Sequence, residues 1–385
     1  MLQLIADWLT KAGCNFPGLR LMDYVSFKAA LAAMLSIIIA FISGKKIIGW
    51  LQKKQIGETI RDLGLEGQMQ KKGTPTMGGI IIIISVVISA LLVCDLSNTY
   101  VILLLLTTLW CGGIGFLDDS IKVFKHNKEG LSEKRKLILQ FALGLGIALM
   151  MCFSESIHTD NLVTTIPFVK AHEFDYSCLS PFNGQLGVYC SWGIYMLMII
   201  IVILACSNGA NLTDGMDGLS TGVSLIVGIV IGVMAWLSGD VLDSKYLNIM
   251  FIPGTDEVAV FMAAFVGALL GFLWYNTFPA QVFMGDTGSL TIGGVIGVSA
   301  VLIRKELLLP LLCGIFLMES LSVLIQRYYF KYTRKKYGEG RRVFLMAPLH
   351  HHYQKKGIPE PRIVTRFWII AILLGVGTLA LMKIR

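Results

Sequence analysis

The sequence predicts an all-α, polytopic membrane protein, and three observations lead to that fold class. Hydrophobic residues make up 55% of the 385-residue chain, charged residues only 15%, and the mean hydropathy is +0.70. The hydrophobic residues are collected into ten segments, most of them about as long as a helix that crosses ~30 Å of hydrocarbon. Within each segment the apolar residues form continuous runs, which favours helices over the alternating pattern of barrel strands.

The ten predicted spans follow one another along the whole chain. The fifth is the shortest, but it contains no charged residue. No Pro-rich or Ser-rich linker divides the chain and no internal repeat is evident, so we expect a single membrane domain covering residues 1–385. The spans are residues 25–43, 78–94, 99–117, 137–153, 192–206, 219–237, 257–275, 288–303, 307–327 and 367–383.

The positions of Lys and Arg predict the orientation, because cytoplasmic loops carry an excess of them. Loops 44–76, 118–136 and 328–366 hold seven, six and ten of these residues. The four loops on the opposite side hold only four in total, which are Lys170, Lys245, Arg304 and Lys305. With ten spans, we therefore expect both termini to be periplasmic and the basic loops to be cytoplasmic.

This topology gives five cytoplasmic loops and one long periplasmic loop, residues 154–191. Cys178 and Cys190 both lie in that loop, where an oxidising periplasm would permit a disulfide between them. The net charge of +8 is then a topology signal and an attraction for anionic headgroups and phosphates. It does not indicate a nucleic-acid partner, which would favour a soluble basic domain. The cytoplasmic loops are residues 44–76, 118–136, 207–218, 276–287 and 328–366.

Each cytoplasmic loop contains a polar cluster that a simple connector does not need. The first, KKGTPTMGG at residues 71–79, combines lysines, hydroxyls and glycines that suit a phosphate, although for this cluster by itself a membrane anchor with a helix-start turn is the favoured interpretation. The second is Asp118 and Asp119 at the end of the third span, where adjacent carboxylates require a compensating cation. Mg²⁺, which prefers carboxylate and phosphate oxygens, or a lysine such as Lys122 would supply it.

The third and fourth clusters add further carboxylates and amides. NLTDGMDGL at residues 211–219 contains Asn211, Asp214 and Asp217, and NTFPAQVFMGDTGSL at residues 276–290 contains Asp286. Asp217 and Asp286 could each be an ordinary helix cap, but the repeated Asx residues and glycines also suit the close approach of a polar ligand or its metal.

The fifth cluster is APLHHHY at residues 347–353. Three consecutive histidines do not easily face one zinc ion, and no Cys or carboxylate stands at a ligand spacing nearby. We expect them to bind phosphate or sugar oxygens, with a polar loop of weak pH response as the simpler alternative.

Together the five motifs resemble the polyprenyl-phosphate N-acetylhexosamine-1-phosphate transferases in order and approximate spacing, over almost the whole chain. GTPTMGG and the triple histidine look like the muramoyl-pentapeptide branch of that family. The resemblance implies transfer of phospho-MurNAc-pentapeptide from its UDP carrier to undecaprenyl phosphate, with release of UMP, by a Mg²⁺-dependent enzyme that is expected to be a homodimer.

The resemblance also implies roles for individual residues. Asp118, Asp119, Asp217 and Asp286 are expected in the catalytic centre, with Asp286, Asp118 and Asp119 as metal ligands. The expected substrate-binding residues are Lys71, Thr76, Asn211, Asp214, Asn276, Phe283, His350, His351 and His352.

Two alternatives remain at this point. A sibling transferase that uses UDP-N-acetylglucosamine shares most motifs but not the triple histidine. A transporter is compatible with ten helices, but transporters usually carry ionisable groups or broken helices near the midplane, whereas here the span interiors hold little beyond Glu319.

Overall fold

The computed structural model describes residues 19–54, 73–124, 130–154, 162–166 and 173–382, together with Leu2 and Ile157. Most of these residues are helical. The helices are α1 (Val25–Lys53), α2 (Gly79–Val93), α3 (Thr99–Phe124), α4 (Glu133–Phe153), α5 (Gly184–Thr213), α6 (Leu219–Gly239), α7 (Val241–Leu247), α8 (Thr255–Asn276), α9 (Gly285–Leu302), α10 (Leu309–Leu312), α11 (Gly314–Tyr337), α12 (Leu349–Lys355) and α13 (Glu360–Leu381).

The predicted helical membrane character is confirmed, since every predicted span corresponds to a helix or a helix pair. Eight helices are long and apolar enough to cross a membrane: α1, α3, α4, α5, α6, α8, α9 and α13. Residues Glu306–Leu312 and Gly314–Tyr337 pass the same test together as a ninth, but they are bent by 75°. The tenth, α2, is apolar and has only 15 residues.

Several helices continue beyond the apolar segments that define the predicted spans. Helix α3 runs to Phe124, so Asp118 and Asp119 lie within its last turns and not at the start of a loop. Lys122 stands one turn after Asp118 and its Nζ lies 2.6 Å from that carboxylate, which stabilises the polar continuation. Helix α11 likewise extends to Tyr337, and α5 begins at Gly184 and ends at Thr213.

The core is organised around α9. Every residue from Thr287 to Leu302 is buried, and the helix packs against α2, α3, α5 and α6. Its sequence is rich in Gly, Ser and Thr, which lets neighbouring backbones approach closely, as is common between helices in membranes. The buried Thr291 hydroxyl donates to the carbonyl of Thr287, at 2.7 Å, so no partner from another helix is needed.

One end of the bundle, which we call the hairpin end, carries a short antiparallel sheet of β1 (Val163–Thr165) and β2 (Glu173–Asp175). An all-α prediction missed this sheet, because three-residue strands give no clear alternation. The amide of Thr165 donates to the carbonyl of Arg304. Cys178 and Cys190 are both free thiols, so the structure contains no bridge between them.

Candidate active site

A cluster of carboxylates lies at the opposite end of the bundle, which we call the carboxylate end. Asp118 and Asp119 come from α3, and Asp286 comes from the first turn of α9. One oxygen from each of the three lies within 4.8 Å of the others, a group that could hold a metal ion. The two helices thus bring together residues that are more than 160 positions apart in the chain.

Two lysines neutralise much of this cluster. The Nζ of Lys136, from the first turn of α4, lies 3.0 Å from Asp118 and 2.5 Å from Asp286. The Nζ of Lys122 lies 2.6 Å from Asp118 and 3.2 Å from Asp286. Three carboxylates and two ammonium groups leave one net negative charge. A divalent cation is therefore electrostatically acceptable at this position.

Asp119 holds the start of α9. Its carboxylate accepts from the amides of Asp286 and Thr287, at 3.2 and 2.9 Å, and from the Thr287 hydroxyl at 2.7 Å. Amides in the first turn of a helix lack partners within the helix, and a carboxylate from another helix satisfies them here. Gly285 adopts a left-handed backbone (φ 71°), and a Cβ there would meet Asp119 Oδ2 at 2.6 Å. Asp119 therefore fixes where Asp286 stands.

Asn211 orients Asp286 through Oδ1, the carboxylate oxygen that does not face the two lysines. Its Nδ2 donates to Asp286 Oδ1 and to the Ser289 hydroxyl, both at 2.9 Å. Gly115 allows α3 to touch the first turn of α9, since a Cβ at that position would overlap the carbonyl of Asp286. Asp286 is thus held between α3, α4 and α5, and 15% of its side chain stays exposed.

The first and fourth sequence clusters pair through their backbones. Phe283 donates from its amide to the carbonyl of Pro75, and Gly78 and Gly79 donate to the carbonyls of Phe283 and Met284. Thr76 is buried, and its hydroxyl lies beside Gly285. The prediction for Lys71 falls outside the described residues.

The third cluster forms a loop, residues 214–218, that several side chains fasten. Asn276 is buried and accepts from the amide of Gly218 at 3.1 Å, while its Nδ2 donates to the carbonyl of Val282. Asp217 donates its amide to Glu360 at 2.7 Å, and its carboxylate accepts from the amide of Ala280 at 3.0 Å. Asp214 caps the end of α5 and is partly exposed.

The three histidines lie on α12, which packs on this loop. His350 is fully buried against Gly215, whereas His351 and His352 are partly exposed. The Nδ1 of His352 accepts from the amide of Leu345 at 3.1 Å. The pKa of His352 lies below its ordinary value, mainly because the ring is partly buried and to a smaller extent because Lys356 is near. A lowered pKa is consistent with a neutral ring that accepts this bond.

The donor set fits Mg²⁺ in its chemistry, because it is made only of carboxylate oxygens, which this ion prefers together with phosphate oxygens. Lys122 and Lys136 can bind anionic oxygens in the same place. Such a combination of hard oxygen ligands and cations is suited to holding phosphates and stabilising charge during phosphoryl transfer.

Comparison with known proteins gives the family. The model described as Glycosyl transferase family 4 matches residues 101–304, and a phospho-N-acetylmuramoyl-pentapeptide-transferase signature matches residues 71–83. A phospho-N-acetylmuramoyl-pentapeptide-transferase of Parabacteroides distasonis is 51% identical, over 96% of this chain and 97% of the relative. Proteins of the same name from Flavobacterium psychrophilum and Bacteroides fragilis are 51% and 45% identical over the full length of both chains.

The chain belongs to the phospho-N-acetylmuramoyl-pentapeptide transferases. The predicted resemblance is therefore confirmed, and the muramoyl branch is favoured over its N-acetylglucosamine sibling. Membership also argues against the transporter.

Several site residues of this transferase were missed by sequence analysis. Lys136 is one of six basic residues in a loop where positive charge already has a topological explanation, so nothing distinguishes it. Thr287 and Ser289 follow Asp286 directly in GDTGS and could have been found as neighbours of a capping position. Glu360 stands far from every motif, and only the fold shows that it bonds the amide of Asp217.

Proposed function

We propose that this transferase moves phospho-MurNAc-pentapeptide from UDP-MurNAc-pentapeptide to undecaprenyl phosphate, giving undecaprenyl-pyrophosphoryl-MurNAc-pentapeptide and UMP in peptidoglycan synthesis. The observation that carries the proposal is the cluster of Asp118, Asp119 and Asp286 with Lys122 and Lys136 at one end of an apolar helical bundle. A lipid acceptor stays in the bilayer, and its phosphate meets the nucleotide at the surface.

The reaction exchanges one phosphoanhydride bond for another. An oxygen of the acceptor phosphate attacks the phosphorus next to the sugar, and the bond to the phosphate of uridine breaks, so that UMP leaves with the electron pair. A phosphate monoester has a second pKa near 6, so at neutral pH the acceptor is already largely the dianion that this attack requires. Proton removal by an aspartate is then a small part of the task.

The chain's own residues hold the reacting phosphates. Lys122 and Lys136 lie where they can bind phosphate oxygens and offset the charge of the attacking and leaving groups. Asp118 keeps both lysines in place, and Asp119 holds the turn that carries Asp286. Mg²⁺, held by Asp286 with Asp118 and Asp119 near, would act as a Lewis acid on phosphate oxygens.

Direct attack by the acceptor is favoured over a phosphoryl-aspartate. Asp118 is fully buried, and its oxygens face Lys122, Lys136 and the amide of Leu131. Asp119 is used by the amides and hydroxyl that begin α9. A carboxylate nucleophile would have to give up these partners before it could react.

The loops beside the cluster are proposed to bind the donor. Thr76, Asn211 and Phe283 lie beside Asp286 or the turn that carries it. Asp214, Asp217 and Asn276 belong to the loop of residues 214–218 and its contacts, and Lys71 precedes Thr76 in the chain. His351 and His352 are exposed enough to contact sugar or phosphate oxygens. We place this end of the bundle in the cytoplasm, with ten spans and both termini periplasmic in the bacterial inner membrane, because the basic loops and the soluble nucleotide belong on that side.

Release of UMP by the purified protein tests the proposal. The reaction contains undecaprenyl phosphate and either UDP-MurNAc-pentapeptide or UDP-N-acetylglucosamine, with Mg²⁺ or with a chelator. We expect metal-dependent UMP release with the muramoyl donor only. Release with UDP-N-acetylglucosamine alone would support the sibling activity, and a well-folded protein that releases UMP from neither donor would contradict the proposal.

The homodimer is part of the same proposal and rests on the resemblance. Chemical cross-linking in native membranes, followed by mass analysis, measures it. A band at twice the mass of 42.4 kDa is expected, whereas a protein that remains at that mass would be a monomer.

A further inference from the structure

The triple histidine is not one functional unit, because its three side chains have different surroundings. His350 is 0% exposed, while its two neighbours are partly exposed. The Nδ1 of His350 lies 3.2 Å from Oε2 of Glu319, and the backbone amide of His350 donates to the same oxygen at 3.4 Å. His350 therefore faces a carboxylate from α11, and its ring is buried among the residues that the structure describes.

Glu319 is itself placed for this contact. It lies on α11, shortly after the 75° bend that follows Leu312, and it is also 0% exposed. A carboxylate buried at this depth is costly unless a partner stabilises its charge. The amide of His350 donates to Oε2, and the imidazole Nδ1 lies within ion-pair distance of the same oxygen.

The other edge of the His350 ring meets the loop of residues 214–218. Its Nε2 is buried, and a Cβ on Gly215 would overlap that atom. Gly215 stands between Asp214 and Asp217, two residues of the proposed site. The rotation of the imidazole thus decides how closely this loop can approach α12.

Side chains from other elements form hydrogen bonds with the rest of this loop. Glu360 accepts from the amide of Asp217, Asn276 accepts from the amide of Gly218, and Trp368 donates to the carbonyl of Gly218 at 3.3 Å. At the beginning of the loop, Gly215 lies against the ring of His350. A shift of the ring would therefore move Asp214 relative to Asp217 and the carboxylate cluster beyond them.

We propose that Glu319 and His350 form a positioning pair in which Glu319 holds a proton on Nδ1 of His350 and the oriented ring sets the loop of residues 214–218 for transfer. The inference rests on the proposed function and deepens it. It divides the triple histidine into one positioning residue and two residues that face the substrate side. A carboxylate that fixes the tautomer and orientation of a histidine is an arrangement known to support catalytic and metal sites.

A double-mutant cycle tests the pair with kcat and KM measured for the UDP-linked donor. Glu319→Gln keeps the size of the side chain and removes its charge, and His350→Gln removes the ring. We expect each variant to lower kcat about 10- to 100-fold, the range typical of residues that orient a site. Because both act through one contact, the double variant should be no slower than the slower single variant.

The matched comparison combines Glu319→Gln with His352→Gln. His352 lies two residues away on α12 but does not face Glu319, so these two effects should multiply. The thermal unfolding midpoint of Glu319→Gln should stay close to that of the wild type, since this change removes the buried charge itself. His350→Gln leaves that charge without a partner and should be less stable. Effects that multiply for Glu319 and His350, or a loss of kcat in Glu319→Gln that follows a loss of thermal stability, would overturn the proposal.

The protonation of the ring gives a readout that does not require turnover. In protein labelled with ¹⁵N-histidine, the signal of His350, assigned by its absence in His350→Gln, should report a proton on Nδ1 that is lost or exchanged in Glu319→Gln. A wild-type ring protonated only on Nε2 would contradict the pair. If the wild type releases no UMP, the proposed function fails, and this spectrum still decides whether Glu319 orients His350.

Discussion

The two ends of the bundle each contain a cluster of charged residues, and the clusters are built differently. At the carboxylate end, Asp118, Asp119 and Asp286 share two lysines, and the side chains of Lys122, Lys136 and Asp286 are 36%, 19% and 15% exposed. At the hairpin end, Arg304, Lys305 and Glu306 are consecutive in sequence and at most 5% exposed.

The partners of the two clusters also differ. Lys305 donates to the Thr165 hydroxyl at 2.6 Å, Glu306 accepts from the Tyr176 hydroxyl at 3.1 Å, and Arg304 stacks over Tyr195 and donates to the carbonyl of Val163. These contacts join the hairpin to the end of α9. Charges that are buried and bonded to neighbouring elements hold the fold together, whereas repelling charges that stay open to solvent are available to a ligand. Substitutions at the carboxylate end should therefore lower activity, whereas substitutions at the hairpin end should lower stability.

The largest effect is expected from Asp286→Asn. The amide cannot supply the negative charge of a metal ligand, so UMP release should fall about 10³-fold or more. The thermal unfolding midpoint should fall only slightly, because the variant loses the ion pairs of Asp286 with Lys122 and Lys136 while both lysines keep their contacts with Asp118. Asp23→Asn, at an exposed position outside the cluster, is the control and should keep full activity. An Asp286→Asn variant that retains most of its activity would exclude Asp286 from the site.

A smaller effect is expected from Lys136→Gln, which should lower kcat/KM about 10- to 100-fold through the loss of one charge-stabilising interaction with the phosphates. The same change removes a cation that competes for Asp118 and Asp286. Half-maximal activity should therefore require less Mg²⁺ than in the wild type. Lys134→Gln on the exposed side of α4 is the matched control. An unchanged Mg²⁺ requirement would indicate that Lys136 and the metal do not share these carboxylates.

Tyr176→Phe probes the hairpin end. It removes the hydroxyl that bonds Glu306 and leaves a buried carboxylate oxygen without that partner, so the free energy of unfolding should fall by about 1–3 kcal/mol. Activity of the folded fraction should not change. Thermal unfolding and UMP release are measured side by side, with Tyr189→Phe at an exposed position of α5 as the control. Loss of activity without loss of stability would break the distinction between the two ends.

The smallest expected effect is a pH dependence of stability. Burial lowers the pKa of Lys305 from its ordinary value of 10.5 to about 8. Between these two values the unfolded chain binds the proton and the folded chain does not, so stability rises with pH across that interval. Lys305→Met lacks this gain. The difference between the unfolding midpoints of wild type and variant should shift by a few degrees in favour of the wild type from pH 7 to pH 10. A constant difference would mean that Lys305 titrates normally.

Much of the fold could be predicted because continuous apolar runs are a local signal. Each of the ten segments proved helical, but their ends were misplaced where polar residues continue the helix. At Asp118 that continuation is stabilised by Lys122 from the same helix, and by Lys136 from the next one. The second of these contacts depends on how helices pack, which no window of sequence reveals.

The site was predicted as a set of motifs but not as an arrangement. The sequence indicates Asp118, Asp119 and Asp286 alike as carboxylates near a membrane surface. Only the fold separates them, since Asp119 caps α9 across 168 positions while Asp286 stays partly open. The sequence likewise does not show that His350 alone among three consecutive histidines is fully buried, because this burial depends on Glu319 and Gly215 from two other elements.

The shortness of α2 has a consequence for the membrane around the protein. Its 15 residues extend over about 22 Å, less than the ~30 Å hydrocarbon layer of an average bilayer. Ile88 and Leu91 on this helix are exposed, which suits contact with lipid chains. Hydrophobic mismatch of this kind is relieved by local thinning of the bilayer. Headgroups beside α2 are then drawn towards Thr76 and the cluster behind it. Acyl-chain length in the host membrane thus becomes a variable that sets how far a lipid-borne phosphate must travel to react.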